Sequence, residues 1–114
     1  DPEAIKALID DPVHLKTGLR DFVTWSLADS RATKFWSKGP SFDAVILKNA
    51  CKAVGVDWPY HYGAERCVRT IEDLAWPNPN EKPEFKVGTH HNAIDDAVTQ
   101  AVMVQVAHKR LGLC

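Results

Sequence analysis

The sequence has no surplus of charge of either sign. Fourteen Lys and Arg stand against fifteen Asp and Glu, a net charge of −1 with five His counted neutral. Without a basic excess, any binding of nucleic acid has to rest on a local patch. No apolar run is long enough to span a bilayer, and no signal peptide is visible, so no membrane association is expected. Cysteine is scarce: Cys51, Cys67 and Cys114 are odd in number and lack C-x-x-C spacing. That excludes a disulfide framework and a cysteine-rich zinc site, and leaves a reduced, cytoplasmic setting as the expectation. Internal repeats and low-complexity tracts are also missing. What is present, 45% hydrophobic and 25% charged residues, suits a globular chain. Its 114 residues make one domain or part of one. The first residue is Asp1 rather than methionine, and a piece of something longer is expected.

The local signals alternate along the chain. "DPEAIKALIDDP" reads as a short helix with Asp1 as N-cap and Pro2 at the first position. Asp11-Pro12 restarts a second helix, "VHLKTGLRDFVTWSLADS", whose Leu15, Leu19, Phe22, Val23 and Leu27 fall near helical spacing. "ATKFWSKG" is a strand ending at Gly39-Pro40. "SFDAVILKNACKAVG" opens on Ser41 as a cap and closes on Gly55, which marks a helix. "VDWPYHYGAE" is an aromatic loop, and "RCVRTI" is a second short strand running into "EDLA". "WPNPNEKPEFKVGTH", with its three prolines, is a loop long enough to suggest function. A long helix runs from Asn92 to Leu111 and stops at Gly112. Helix, strand, helix, strand, helix is the order of an α/β domain with parallel strands. Two strands make too small a sheet, so further strands are expected from elsewhere.

The candidate chemistry sits at helix starts. Asp43 follows a strand end, the place where ligands gather in open α/β sheets. It can serve as a metal carboxylate or as a first-turn acid that complements the helix dipole. "GTHHNAIDDA", residues 88–97, packs His90, His91, Asp95 and Asp96 around the start of the last helix. That helix is apolar nearly all round over its first four turns, the pattern of a buried helix. A lone Asp96 on such a helix is costly unless paired or metal-bound. Asp95 reads as an exposed first-turn acid. His91 precedes the helix, is free of helical phase, and can turn towards Asp96. His90 reads as a loop residue, and either histidine can equally be a surface or capping residue.

Taken together, "SFDAVIL", "VRTI" and "HHNAIDDA" resemble the later motifs of the DEDDh 3′–5′ exonucleases, nearest to their phage and prophage branch and its exoribonuclease relatives. In that branch a strand ending in Gly leads into a Ser/Thr-Phe-Asp helix start, as in "WSKGPSFDAVIL". An Arg-Thr segment follows, as at Arg69 and Thr70. The last motif is His, four residues, then Asp, matched by His91, Ala93, Asp96 and Ala97. The resemblance implies a ribonuclease H-like fold and metal-dependent hydrolysis of phosphodiester bonds at single-stranded DNA or RNA 3′ ends. Asp43 and Asp96 would be metal carboxylates and His91 the general base, with two Mg²⁺ or Mn²⁺ ions as cofactors. Such ions work in pairs about 3.5–4 Å apart and prefer oxygen ligands. A homodimer is compatible with it. Phe42 and the Trp58, Tyr60, Tyr62 group are candidates for stacking terminal bases, or for plain packing. Arg69 can contact phosphate or an internal acid.

One family feature is missing. The first motif, Asp-x-Glu on a first strand, does not occur. "DPE" at Asp1-Pro2-Glu3 spells it, but helical sequence follows. The chain therefore reads as the C-terminal part, residues 1–114, of a single exonuclease domain. It needs N-terminal strands to complete the sheet and is expected to be inactive by itself. A second reading is a catalytically silent ribonuclease H-like interaction module. A third is a Zn²⁺ protein using His90, His91 and Asp95 or Asp96, although adjacent histidines point apart.

Overall fold

The computed structural model describes Pro2, residues 14–89 and residues 92–113. The helix expected over residues 1–12 lies outside these, Pro2 apart, as do His90 and His91. The elements in chain order are α1 (Leu15–Leu27), β1 (Phe35–Ser37), α2 (Pro40–Val54), β2 (Glu65–Cys67), α3 (Val68–Ala75), a 3₁₀ turn (Pro79–Glu81) and α4 (Ala93–Arg110). The described residues form two compact units. One runs from residue 14 to Cys67, and the other begins at Val68.

In the first unit, β1 and β2 pair in parallel, with Phe35 opposite Glu65, Trp36 opposite Arg66 and Ser37 opposite Cys67. Helix α2 connects them and packs on both strands, and α1 packs on α2. The inner face of α2 repeats at Ala44, Leu47, Lys48 and Cys51, the i, i+3, i+4, i+7 spacing of a helix laid on a sheet. Ala44 and Cys51 are fully buried, and burial pushes the Cys51 thiol above its ordinary pKa. Lys48 bridges outward to Glu65 and lies over the Trp58 ring. The expected aromatic loop is a packing element. Trp58 and Tyr60 gather on Phe35, with Phe22 of α1 closing the group against Trp58.

Helix α2 begins two residues earlier than the Ser41 cap predicts. Gly39 is the N-cap, at φ 103°, and Pro40 takes the first helical position. Proline has no N–H to satisfy there and its φ suits the helix, so Gly-Pro outcompetes Ser41. The left-handed backbone at Gly39 is open to glycine and strained for other residues. Gly39→Ala is expected to lower stability by about 1–2 kcal/mol and to disturb the turn that carries Asp43. A urea melt followed by circular dichroism measures it.

The second strand is shorter than "RCVRTI". It stops at Cys67, and Val68 to Ala75 form α3. The expected order therefore gains a helix. Val68, Ile71 and Ala75 are all buried, and that helical spacing decides between strand and helix for a short apolar run. Arg69 and Thr70 accordingly stand on the exposed side of a helix.

In the second unit α3 packs against α4, whose buried positions are Met103, Val104 and Ala107. Trp76 continues this core, with Phe85 beside it at 5.6 Å. Arg110 donates to the Ala75 carbonyl at 2.5 Å and lies over the Trp76 ring. It thus satisfies one of the carbonyls left open at a helix end. The expectation of a helix buried all round is corrected here. Ile94, Val98, Val102 and Val106 form an exposed stripe along α4, with Ile94 at 74%. Helix α3 covers one side of α4, and the described residues leave this side open. No helix among the described residues is long and apolar enough to cross a membrane.

Candidate functional site

Asp43 is the first-turn acid of α2, directly after the Gly39-Pro40 break at the C-terminal end of β1. Its N–H donates to the Gly39 carbonyl at 3.2 Å, and its side chain is half-buried. Phe42 beside it is 68% exposed. An aromatic ring and a carboxylate thus share the first turn of one helix.

Asp95 and Asp96 occupy the first turn of α4, behind the N-cap Asn92. The Asn92 side chain accepts from the N–H groups of Ile94 and Asp95, at 3.1 and 3.3 Å. These are two of the donors that every helix start leaves open. The two acids then differ in their work. The Asp95 carboxylate accepts from the Thr89 N–H at 2.8 Å. Thr99 donates to the Asp95 carbonyl and accepts from the Val87 N–H, at 2.8 and 2.9 Å. Gly88, at φ 63°, backs onto the Asp95 carboxylate so closely that a Cβ there would collide with it. Asp95 is therefore half-buried and pins the 87–89 segment to the helix, which corrects the exposed-acid reading. The legible signal was an acid at the third helical position, where side chains reach back to the preceding loop.

Asp96 is also half-buried and engaged in an interaction of its own. It follows Asn92 by four residues, and its N–H donates to the Asn92 carbonyl at 2.8 Å. The residues on either side of His90 and His91 are linked as well, Asn92 N–H donating to the Thr89 carbonyl at 3.2 Å. Asp43 belongs to the first unit and Asp96 to the second. Both are oxygen donors, the kind that Mg²⁺ and Mn²⁺ take. Among the described residues no three His, Cys, Asp or Glu stand together as a metal set. The donors fit such ions in kind and fall short of a closed site in number. Of the candidate stacking residues, Trp58 and Tyr60 are held within the aromatic cluster, while Phe42 and Tyr62 present exposed rings.

Mixed helices and strands, a parallel strand pair and acids placed at helix starts define a small α/β protein. Residues 1–108 match the family model described as the 3′–5′ exoribonuclease Rv2179c-like domain. The chain belongs to that family, and with it to a class of 3′–5′ exonuclease domains. No curated protein and no solved structure matches the chain.

Proposed function

We propose that this chain is the C-terminal part of a single ribonuclease H-like domain that hydrolyses phosphodiester bonds at the 3′ ends of single-stranded nucleic acid. RNA is the substrate that the family description favours. The observation that carries the reading is the family match over residues 1–108. The placement of both candidate carboxylates, each half-buried in the first turn of a helix, supports it.

Asp43 and Asp96 would hold Mg²⁺ or Mn²⁺ together with an Asp-x-Glu pair on a further strand, a place that Asp1-Pro2-Glu3, followed by helical sequence, does not fill. When bound, two such ions generate the nucleophile and stabilise charge on the phosphate and leaving oxygen. His91 would take the proton of the attacking water on an imidazole nitrogen, a role that its ordinary pKa near neutrality suits. Asp95 pins the 87–89 segment to the start of α4. The exposed Phe42 would stack the terminal base beside Asp43, and Arg69 would meet phosphate. The open stripe of α4 and the exposed Val45 and Ile46 of α2 are surfaces for the additional strands.

The test is a gel ladder. The intact domain, meaning this chain with a strand carrying Asp-x-Glu, should shorten 5′-labelled single-stranded RNA stepwise from its 3′ end. Mg²⁺ or Mn²⁺ should be required, and EDTA should stop the reaction. Binding of the RNA without any shortening would favour the silent module instead. Phe42→Ala in the intact domain should leave stability unchanged and raise KM by about tenfold, within the worth of one lost base stack. Steady-state kinetics on a short oligoribonucleotide read it.

A further inference from the structure

A second concavity lies away from the candidate site. A cleft of about 260 Å³ opens in the first unit, between the end of α1 with the loop after it and the Pro59–His61 stretch. Thr33 leads into β1 and His61 leads towards β2, so the cleft stands at the N-terminal ends of the two parallel strands. Asp43 follows the opposite end of β1.

The lining has a definite chemistry. One wall is Tyr60, held in place by Phe35 at 5.6 Å and Trp58 at 5.7 Å between ring centres. Pro59 extends this apolar wall. Ser26 lines the other side at 4% exposure, and its hydroxyl has no hydrogen-bond partner among the described residues. A buried hydroxyl without a partner lowers stability unless a ligand or water supplies the missing bond. Thr33 adds a second hydroxyl at the rim. The His61 Nδ1 accepts from the Gly63 N–H, which puts the proton of a neutral imidazole on Nε2 as a further donor.

Charge narrows the ligand. Among the described residues no Lys or Arg lines the cleft, and Arg31 beside it is paired with Asp29. Asp29 does line it, its carboxyl held below the usual range by the hydrogen bonds from Arg31, and the negative end of the α1 dipole points the same way. A phosphate is disfavoured there, while a neutral ring with hydrogen-bond donors is favoured. The volume lies just under the range of pockets for drug-sized ligands, about 300–1,000 Å³, so one ring system fits rather than a whole nucleotide. Stacking on a fixed tyrosine beside polar edge contacts is how proteins hold single bases.

We infer that this cleft takes a nucleobase, with its face on Tyr60 and its polar edge on Ser26 and Thr33. The identity of the ligand rests on the nuclease reading, which supplies two sources of the same chemistry. The base belongs either to the RNA strand, at a point removed from the cut, or to a released mononucleotide.

The experiment is an amide-shift titration of the full 114-residue chain without divalent metal, using adenosine, cytidine and uridine. A parallel arm uses their 5′-monophosphates, and a third uses a phosphorothioate oligoribonucleotide that resists hydrolysis. Saturable shifts are expected at Ser26 to Thr33 and at Tyr60 and His61, with the monophosphate binding no tighter than the nucleoside. Ser26→Val and Thr33→Val should each weaken binding by about fivefold, the equivalent of one hydrogen bond. Thr33 is exposed, so its variant remains informative if the buried Ser26 variant fails to fold. Tighter binding of the oligonucleotide at the same amides assigns the base to the strand, and equal affinity assigns it to the mononucleotide. An absence of shifts at these amides in every arm, or binding indifferent to the substitutions, overturns the inference. Trimming by the intact domain without nucleoside binding removes the cleft alone. Nucleoside binding with no trimming removes the nuclease reading and leaves the cleft standing.

Discussion

In the intact domain, Asp96→Ala and His91→Ala are expected to abolish or severely reduce trimming of 3′ ends, while Asp95→Ala is expected to keep it. Loss of a general base costs about 10²–10⁴-fold in rate. Loss of a metal carboxylate costs at least as much, because nucleophile generation and charge stabilisation fail together. Asp95 has a different job. Its carboxylate accepts from the Thr89 N–H at 2.8 Å and supports the 87–89 segment. Removing a hydrogen bond to a charged acceptor is expected to cost about 1.5 kcal/mol of stability, more than an exposed helix-start acid would. The loop that leads to His91 should loosen with it, so the Asp95 variant should show a moderate fall in kcat as well. Initial rates at neutral pH with Mg²⁺, beside urea melts of each variant, separate the two kinds of loss. An inactive Asp95→Ala beside an active Asp96→Ala would show that the His-x4-Asp register is wrong.

The 114-residue chain by itself is expected to bind Mn²⁺ weakly and not to shorten RNA. Its sequence offers Asp43 and Asp96 but no Asp-x-Glu strand, and no cluster of three metal-ligand residues occurs among the described residues. Two carboxylates leave two closely spaced dications without the oxygen ligands that hold them against water. Calorimetry with Mn²⁺ and an assay on a labelled oligonucleotide test this together. Robust, metal-dependent trimming by the purified chain would require ligands from elsewhere in its own sequence, and the proposed donor set would fall.

Much of this fold is legible in the sequence. The α2 helix was marked by apolar residues at helical spacing, and Asp43 fell in its first turn as expected, although the cap is Gly39 rather than Ser41. The α4 start was marked by Asn92, a short polar side chain able to satisfy the first open N–H groups, and the helix ends within a residue of the expected place. Both are local effects, decided within one turn of chain. The errors were local ambiguities resolved by distant partners. Val68 to Ile71 suits strand or helix by composition, and packing of α3 on α4 makes it helix. Asp95 and Asp96 are adjacent and identical in kind, and only the fold of the 87–89 segment gives the first of them a backbone donor to hold.

Charge balance, the lack of a spanning apolar run, the start of α4 at Asn92 and the order of motifs were determined by the sequence alone, because composition and nearest-neighbour stereochemistry suffice for them. The division of the apolar surface of α4 into a covered side and an open stripe was decided only by tertiary structure, since an apolar residue does not specify which surface will cover it. The cleft at Ser26, Thr33 and Tyr60 belongs with it. Its two walls lie some thirty residues apart in the chain, and they meet because β1 and β2 pair in parallel, which brings the segments before each strand to the same end of the sheet.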